Sequence, residues 1–144
     1  MEDLFGTQLI SKSGIVPVSV LSSIKYVLVY FSASWCKPCQ SFTPALDMFY
    51  DSINSFDKDV EIIYISRDNT LEEFTEYYSK MPWLAVPYED SSRRQTLKEI
   101  FNSKSIPSLY LINSAGSIKK EDCVQDVKNK GPLCINEWNI ALSS

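Results

Sequence analysis

The alternation of apolar and polar positions divides the chain into elements before any single residue stands out. Tyr26 to Ser32 and Val60 to Ser66 are short runs dense in aromatic and β-branched residues. Such runs predict strands buried on both faces. Between them, apolar residues fall at Phe42, Leu46, Phe49, Tyr50 and Ile53, one face of a helix over Lys37 to Asn54. Pro44 lies inside that pattern and predicts a kink, because it offers no N–H to the ladder. Thr70 to Lys80 reads as a second helix, with Leu71, Phe74, Tyr77 and Tyr78 on one side. Thr70 is its cap, and Glu73 fits a capping box. Leu84 to Val86 is a short extended piece, and Ser91 to Asn102 is a third helix carrying Leu97, Ile100 and Phe101. Ser108 to Ile112 and Ser117 to Lys119 flank a turn at Asn113 to Gly116, which predicts an antiparallel hairpin. Pro132 to Leu142 reads as a C-terminal helix. The first 25 residues are mixed, with a short helix read at Pro17 to Leu21.

Strand, helix, strand, helix implies parallel strands joined by right-handed crossovers. The hairpin adds antiparallel strands, so the expected sheet is mixed. The length of 144 residues is typical of one domain, and a single domain over residues 1 to 144 is expected. No segment approaches the ~20 apolar residues of a membrane helix, so no membrane partner is expected. A net charge of -4 and a pI near 4.8 argue against a nucleic-acid surface. The chain has no histidine, which removes Ser-His and Cys-His nucleophile pairs and every His-containing metal site. Four cysteines are too few for a disulfide scaffold in a chain this long. With no secretory leader visible, a reducing compartment is expected: the cytoplasm, with the nucleus as a second location.

Cys36 and Cys39 carry the chemistry. They stand two residues apart where a strand ends and a helix begins. Backbone N–H groups and the helix dipole favour an anion there, and only a thiolate attacks disulfides. The pattern predicts an exposed, acidified Cys36 that attacks a substrate disulfide and a more buried Cys39 that resolves the mixed disulfide. Pro38 is tolerated in the first helical turn, and Lys37 adds a screened cation beside the thiolate. A zinc site is the alternative, but Cys123 and Cys134 are the remaining soft ligands and do not form a second CxxC. A purely structural bridge is disfavoured, since so short a loop constrains the unfolded chain little. Ile106-Pro107 leads into the strand at Ser108. That proline is either an ordinary strand starter or a cis proline facing the CxxC. In the second case it would shield the thiols from metal and leave the Ile106 backbone to pair with an extended substrate.

Trp35-Cys36-Lys37-Pro38-Cys39, with Ile106-Pro107 some seventy residues on, resembles the thioredoxin superfamily. "YFSASWCKPCQSFTPALDMFY", "MPWLAVPYED", "SRRQTLKEIF" and "SIPSLYLI" resemble its tryparedoxin and nucleoredoxin branch more specifically. The resemblance covers about Phe5 to Trp138. It implies an α/β thioredoxin fold, three layers α/β/α around a central mixed sheet. It also implies Cys36 as nucleophile, Cys39 as resolving cysteine, Trp35 covering the disulfide, Pro38 holding the loop, and Pro107 as the cis proline. Thioredoxins carry a buried acid six residues before the first cysteine. Tyr30 stands there in this chain, so a proton relay would run through water, Tyr30 or another group, with Glu72, Glu73 and Glu76 as candidates. The branch usually has Pro-Pro between its cysteines where this chain has Lys37-Pro38. The tail from Lys128 to Trp138 resembles nucleoredoxin-like proteins more than tryparedoxins.

The expected activity is protein-disulfide reduction at Cys36 and Cys39, with no metal and no tightly held cofactor. Electrons would come from a reductase or a low-molecular-weight dithiol and pass to oxidised proteins, peroxiredoxin-type peroxidases among them. A monomer is expected. The rival reading is a nucleoredoxin-type regulator that holds partners in a redox-dependent way with little turnover. Trp83 reads either as a substrate-groove residue beside the CxxC or as a packed aromatic. Arg93 and Arg94 read as a solvated helix face in preference to a site for an acidic partner or glutathione-like carboxylate, and Cys123 and Cys134 as buried, inert thiols in preference to a second, regulatory disulfide.

Overall fold

Seven strands form one mixed sheet in the computed structural model, which describes all 144 residues. In chain order they are β1 (Gln8–Ser11), β2 (Gly14–Pro17), β3 (Tyr26–Ser32), β4 (Val60–Ser66), β5 (Leu84–Ala85), β6 (Ser108–Ile112) and β7 (Ile118–Lys120). Across the sheet the order is β2-β1-β5-β4-β3-β6-β7. β3 lies inside the sheet beside the middle strand, parallel to β4 and antiparallel to β6. Every residue of β3 and β4 is buried, which is why both read as unbroken apolar runs. The parallel pair β3–β4 ends with Ser32 beside Ser66, and the loop that carries the CxxC leaves from that end.

Helices cover both faces. α1 (Glu2–Phe5), a 3₁₀ turn at Val18–Ser23 and α4 (Ser91–Ile100) pack on one side, through Phe5, Leu21, Leu97 and the odd-numbered side chains of β3. α2 (Lys37–Ile53), α3 (Leu71–Tyr78), α5 (Cys123–Lys130) and α6 (Ile135–Ser143) pack on the other, against Tyr26, Leu28 and Tyr30. The period-two alternation of β3 thus feeds two cores at once. The larger core, on the α2 side, is dominated by aromatic rings: Trp138 meets Tyr26 and Phe49 edge-on, and Tyr30 meets Phe42.

Several elements depart from expectation, each for a local reason. The N-terminal hairpin β1–β2 was not anticipated; its residues are mostly half-exposed or exposed, so no buried run announces it. α5 was also missed, being a short, polar helix with an expected hairpin before it and a helix after it. The final helix begins at Ile135, because Gly131–Cys134 forms a 3₁₀ turn first. Leu71 and Ile100 lie at helix ends and are each 50% exposed, so neither belongs to the core. The Thr70 cap is present: its Oγ1 accepts the Glu73 N–H at 3.1 Å. Glu73 reaches back to the N–H of Asn69, one residue beyond the usual capping-box partner. Gly116 closes the β6–β7 turn at φ 85°, and a side chain there would meet Leu4 at 2.8 Å, so the position admits only glycine comfortably.

Candidate redox site

Cys36 is the N-cap of α2, and the helix starts at Lys37 because Pro38 needs no N–H partner in the first turn. The Cys39 N–H points at Cys36 Sγ from 3.3 Å. One of the orphan donors of the helix start is therefore aimed at the sulfur. Cys36 and Cys39 are joined as a disulfide, with Cα atoms 5.2 Å apart. The Ile106–Pro107 peptide is cis, and the Ile106 carbonyl oxygen lies 3.7 Å from Cys36 Sγ. Trp35 is 52% exposed, and Lys37 and Pro38 are exposed, so all three border the disulfide from the solvent side. Cys36 is less open than expected, at 7% exposed against 0% for Cys39, because Ile106 and Ala33 pack over it. The order of accessibility still holds: Cys36 is the more open of the two sulfurs.

Asp68 holds the loop before the CxxC, and no sequence signal marked it. It is 5% exposed, and its Oδ1 accepts both the Ser34 N–H and the Ser34 hydroxyl at 2.7 Å. Its Oδ2 accepts from Ser66 at 3.0 Å and from Tyr64 at 3.2 Å. Four donors on one carboxylate fix the turn that presents Trp35 and Cys36.

One turn along α2 from Cys39, Thr43 belongs to a chain of buried hydroxyls. Tyr30 Oη lies 2.7 Å from Thr43 Oγ1, Thr43 Oγ1 lies 2.7 Å from Tyr77 Oη, and Tyr77 Oη lies 2.9 Å from Ser32 Oγ. Burial, reinforced by Tyr77, pushes the Tyr30 phenol well above its ordinary range, so it stays neutral. Thr43 and Tyr77 also line a cleft of about 580 Å³ between α2 and α3. Of the candidate acids, Glu73 and Glu76 line that cleft, and Glu72 does not.

Trp83 does not line a substrate groove. It is 1% exposed, held edge-on between the rings of Tyr30 and Tyr50. Tyr78 donates to its carbonyl at 2.5 Å. A ring this large is retained by core burial, and the connecting loop turns inward to supply it. Arg93 and Arg94 are not a solvated face. Arg93 donates to the Leu4 carbonyl and to Asp90, while Arg94 donates to the Tyr88 carbonyl and lies over the Tyr88 ring. The four-cysteine zinc alternative has no geometric basis. Cys36 and Cys39 sit with Ala33, whereas Cys123 and Cys134 lie fully buried in the core around Trp138. Burial pushes both of those thiols up, Cys134 to about 12.

These features converge on one family. A model described as Thioredoxin-like matches residues 23–118, which takes in the CxxC, the cis proline and the central strands. The chain belongs to this thioredoxin-like family. It is 45% identical over 108 residues to tryparedoxin of Trypanosoma brucei brucei, covering 75% of this chain and 74% of that protein. It is 45% identical over 114 residues to nucleoredoxin of Danio rerio, covering 79% of this chain but 27% of that protein. The chain thus spans about a quarter of that nucleoredoxin. The solved tryparedoxin from Trypanosoma brucei superposes with a TM-score of 0.81 at 40% identity, over 89% of this chain and 88% of that one. The fold is therefore the thioredoxin fold, and the chain is a member of the tryparedoxin and nucleoredoxin group of thioredoxin-like oxidoreductases.

Proposed function

We propose that the chain is a thiol–disulfide oxidoreductase that reduces protein disulfides. One observation carries this reading: Cys36 caps a helix whose Cys39 N–H faces its sulfur at 3.3 Å, while Cys39 is fully buried behind it. The helix start stabilises the Cys36 thiolate relative to the thiol. The thiolate attacks a substrate disulfide, and one substrate sulfur leaves as thiolate. Cys39 then attacks Cys36 Sγ, releasing the second substrate sulfur and closing the intramolecular disulfide. Both electrons lost by the dithiol reach the substrate. The exposed Trp35 and the Ile106 backbone flank the approach, which suits an extended peptide pairing beside the cis proline. A low-molecular-weight dithiol or a reductase returns the pair to the dithiol, and peroxiredoxin-type peroxidases are among the oxidised proteins served. The cytoplasm suits such a cycle.

The likeness to nucleoredoxins supports a second reading, a regulator that binds partners according to the redox state of the pair. Insulin reduction with dithiothreitol separates the two. Turnover by the wild type and none by Cys36→Ser supports the reductase. Equally slow reaction by both removes it and leaves the partner-binding reading, in which a protein with both cysteines replaced by serine still captures its partner.

A further inference from the structure

We propose that Thr43 and Tyr77 form the proton exit for Cys39, leading from the resolving thiol to the cleft between α2 and α3. This inference rests on the reductase reading above and adds residues that the CxxC pattern does not contain. Resolution requires Cys39 to lose its proton as it attacks Cys36 Sγ. Cys39 is 0% exposed, so water does not reach it directly. No carboxylate, amine or imidazole hydrogen-bonds it, and the one buried carboxylate at this end of the sheet, Asp68, is occupied by Ser34, Ser66 and Tyr64.

Thr43 stands four residues after Cys39 on the buried face of α2, the spacing at which helix side chains are neighbours. Its hydroxyl has one donor and two acceptor sites, and Tyr30 and Tyr77 use two of the three. One site is left to accept the Cys39 S–H once the disulfide opens. Tyr77 is the outer member of the chain, because its side chain also lines the cleft that Glu73, Glu76, Asp47 and Lys80 share. A proton leaving Cys39 passes to Thr43, the Thr43 proton passes to Tyr77, and the Tyr77 proton passes to the cleft. Each hydroxyl gives one proton and receives one, so none acquires net charge. The Cys39 thiolate supplies the electron pair for the new S–S bond, and the substrate thiolate carries the displaced pair away. Tyr30 sits at the inner end and, held neutral by burial, orients the Thr43 hydroxyl without itself ionising. The groups facing this chain are Glu73, Glu76 and Lys80 from α3 and its end, Asp47 from α2, Ser32 from β3 and, through Tyr64, Asp68 after β4.

The test separates the two steps with an aromatic disulfide, dithiobis(nitrobenzoate), mixed with reduced protein. Attack by Cys36 releases one coloured thiolate, and resolution by Cys39 releases the second. Thr43→Val and Tyr77→Phe are expected to release the first equivalent at the wild-type rate, which also shows that they fold. The second equivalent should slow on the order of 10²-fold near neutral pH, the lower range for a positioned proton acceptor. That deficit should shrink towards high pH, where hydroxide admitted by local opening of the site takes the proton, and Thr43→Ser should restore the wild-type profile. Unchanged second-phase rates and pH profiles in both variants would overturn the exit route. A slow second phase of unaltered pH profile that serine fails to rescue would also overturn it, since a packing defect alone gives that result. Loss of the first equivalent in Cys36→Ser but not in the other variants keeps the reductase reading standing whatever the second phase does.

Discussion

The four cysteines fall into two pairs that occupy opposite environments. Cys36 and Cys39 sit at a helix start on the end of the sheet, with an N–H aimed at one sulfur and exposed Trp35 beside it. Cys123 and Cys134 lie at 0% exposure under α5 and the Gly131–Cys134 turn, packed with Trp138. Cys123 donates to the Lys120 and Glu121 carbonyls at 3.6 Å, as a neutral thiol does. The same side chain lies at a helix start in one place and serves as a small hydrophobe in the other. What differs is whether the surroundings favour the thiolate: a helix N-terminus does, and an apolar core beside Asp126 does not.

The contrast is broken most directly by removing the sulfurs. Cys36→Ser should abolish insulin reduction, and Cys39→Ser should accumulate mixed disulfides with substrate, visible as adducts on non-reducing gels. Trapping by Cys36→Ser instead would reverse the two roles. Next in size is the gap in reactivity. In the reduced protein at pH 7, iodoacetamide should modify Cys36 more than about 100-fold faster than Cys123 or Cys134, because the thiolate fraction sets the rate. Peptide mass analysis of timed samples reads this directly, and comparable rates would dissolve the distinction. Replacing the core pair should reverse the pattern of damage. Cys123→Ser or Cys134→Ser should cost about 1–3 kcal/mol in urea unfolding, since each buries a hydroxyl where a thiol packed. Insulin turnover should survive in both.

The smallest effect is the dependence of stability on alkaline pH. Burial, reinforced by Asp126, pushes the Cys134 thiol up from its ordinary 9.0 to about 12 in the fold. Above pH 9 the unfolded chain therefore holds fewer protons than the folded one, and stability falls as pH rises. The contribution is whole below about 9 and lost progressively up to about 12; the raised phenols of Tyr30, Tyr50 and Tyr64 act in the same direction from 10.0 upward. Urea midpoints at pH 8 and pH 10.5 should show the drop. In a Cys123→Ala, Cys134→Ala double variant the drop should be shallower, and an identical slope would exclude the core thiols as its source.

Much of this was legible in the chain itself. The apolar runs at β3 and β4 and the i, i+4, i+7 spacing in α2 are determined by local sequence, because a fully buried strand and a one-sided helix each leave a period in the residues. The CxxC at their junction, and its distance from Ile106-Pro107, are likewise written in the order of residues. The hairpin β1–β2 and helix α5 left no such period, since each is short and half-exposed or polar. Trp83 and Arg94 show the limit from the other side. A candidate groove aromatic and a cation assigned to a solvated helix face both read as surface residues, yet the fold turns one into the Tyr30–Tyr50 core and clamps the other onto Tyr88. Asp68, Thr43 and Tyr77 come to the site from three different elements, with Asp68 and Tyr77 29 and 38 residues beyond Cys39. Only the parallel pairing of β3 with β4, and the packing of α3 against α2, brings them to Ser34 and Tyr30. Sequence determines where a thiolate is possible. The tertiary structure decides what holds its loop, which cysteines stay silent and where a proton can leave, because those depend on contacts between residues that the chain keeps far apart.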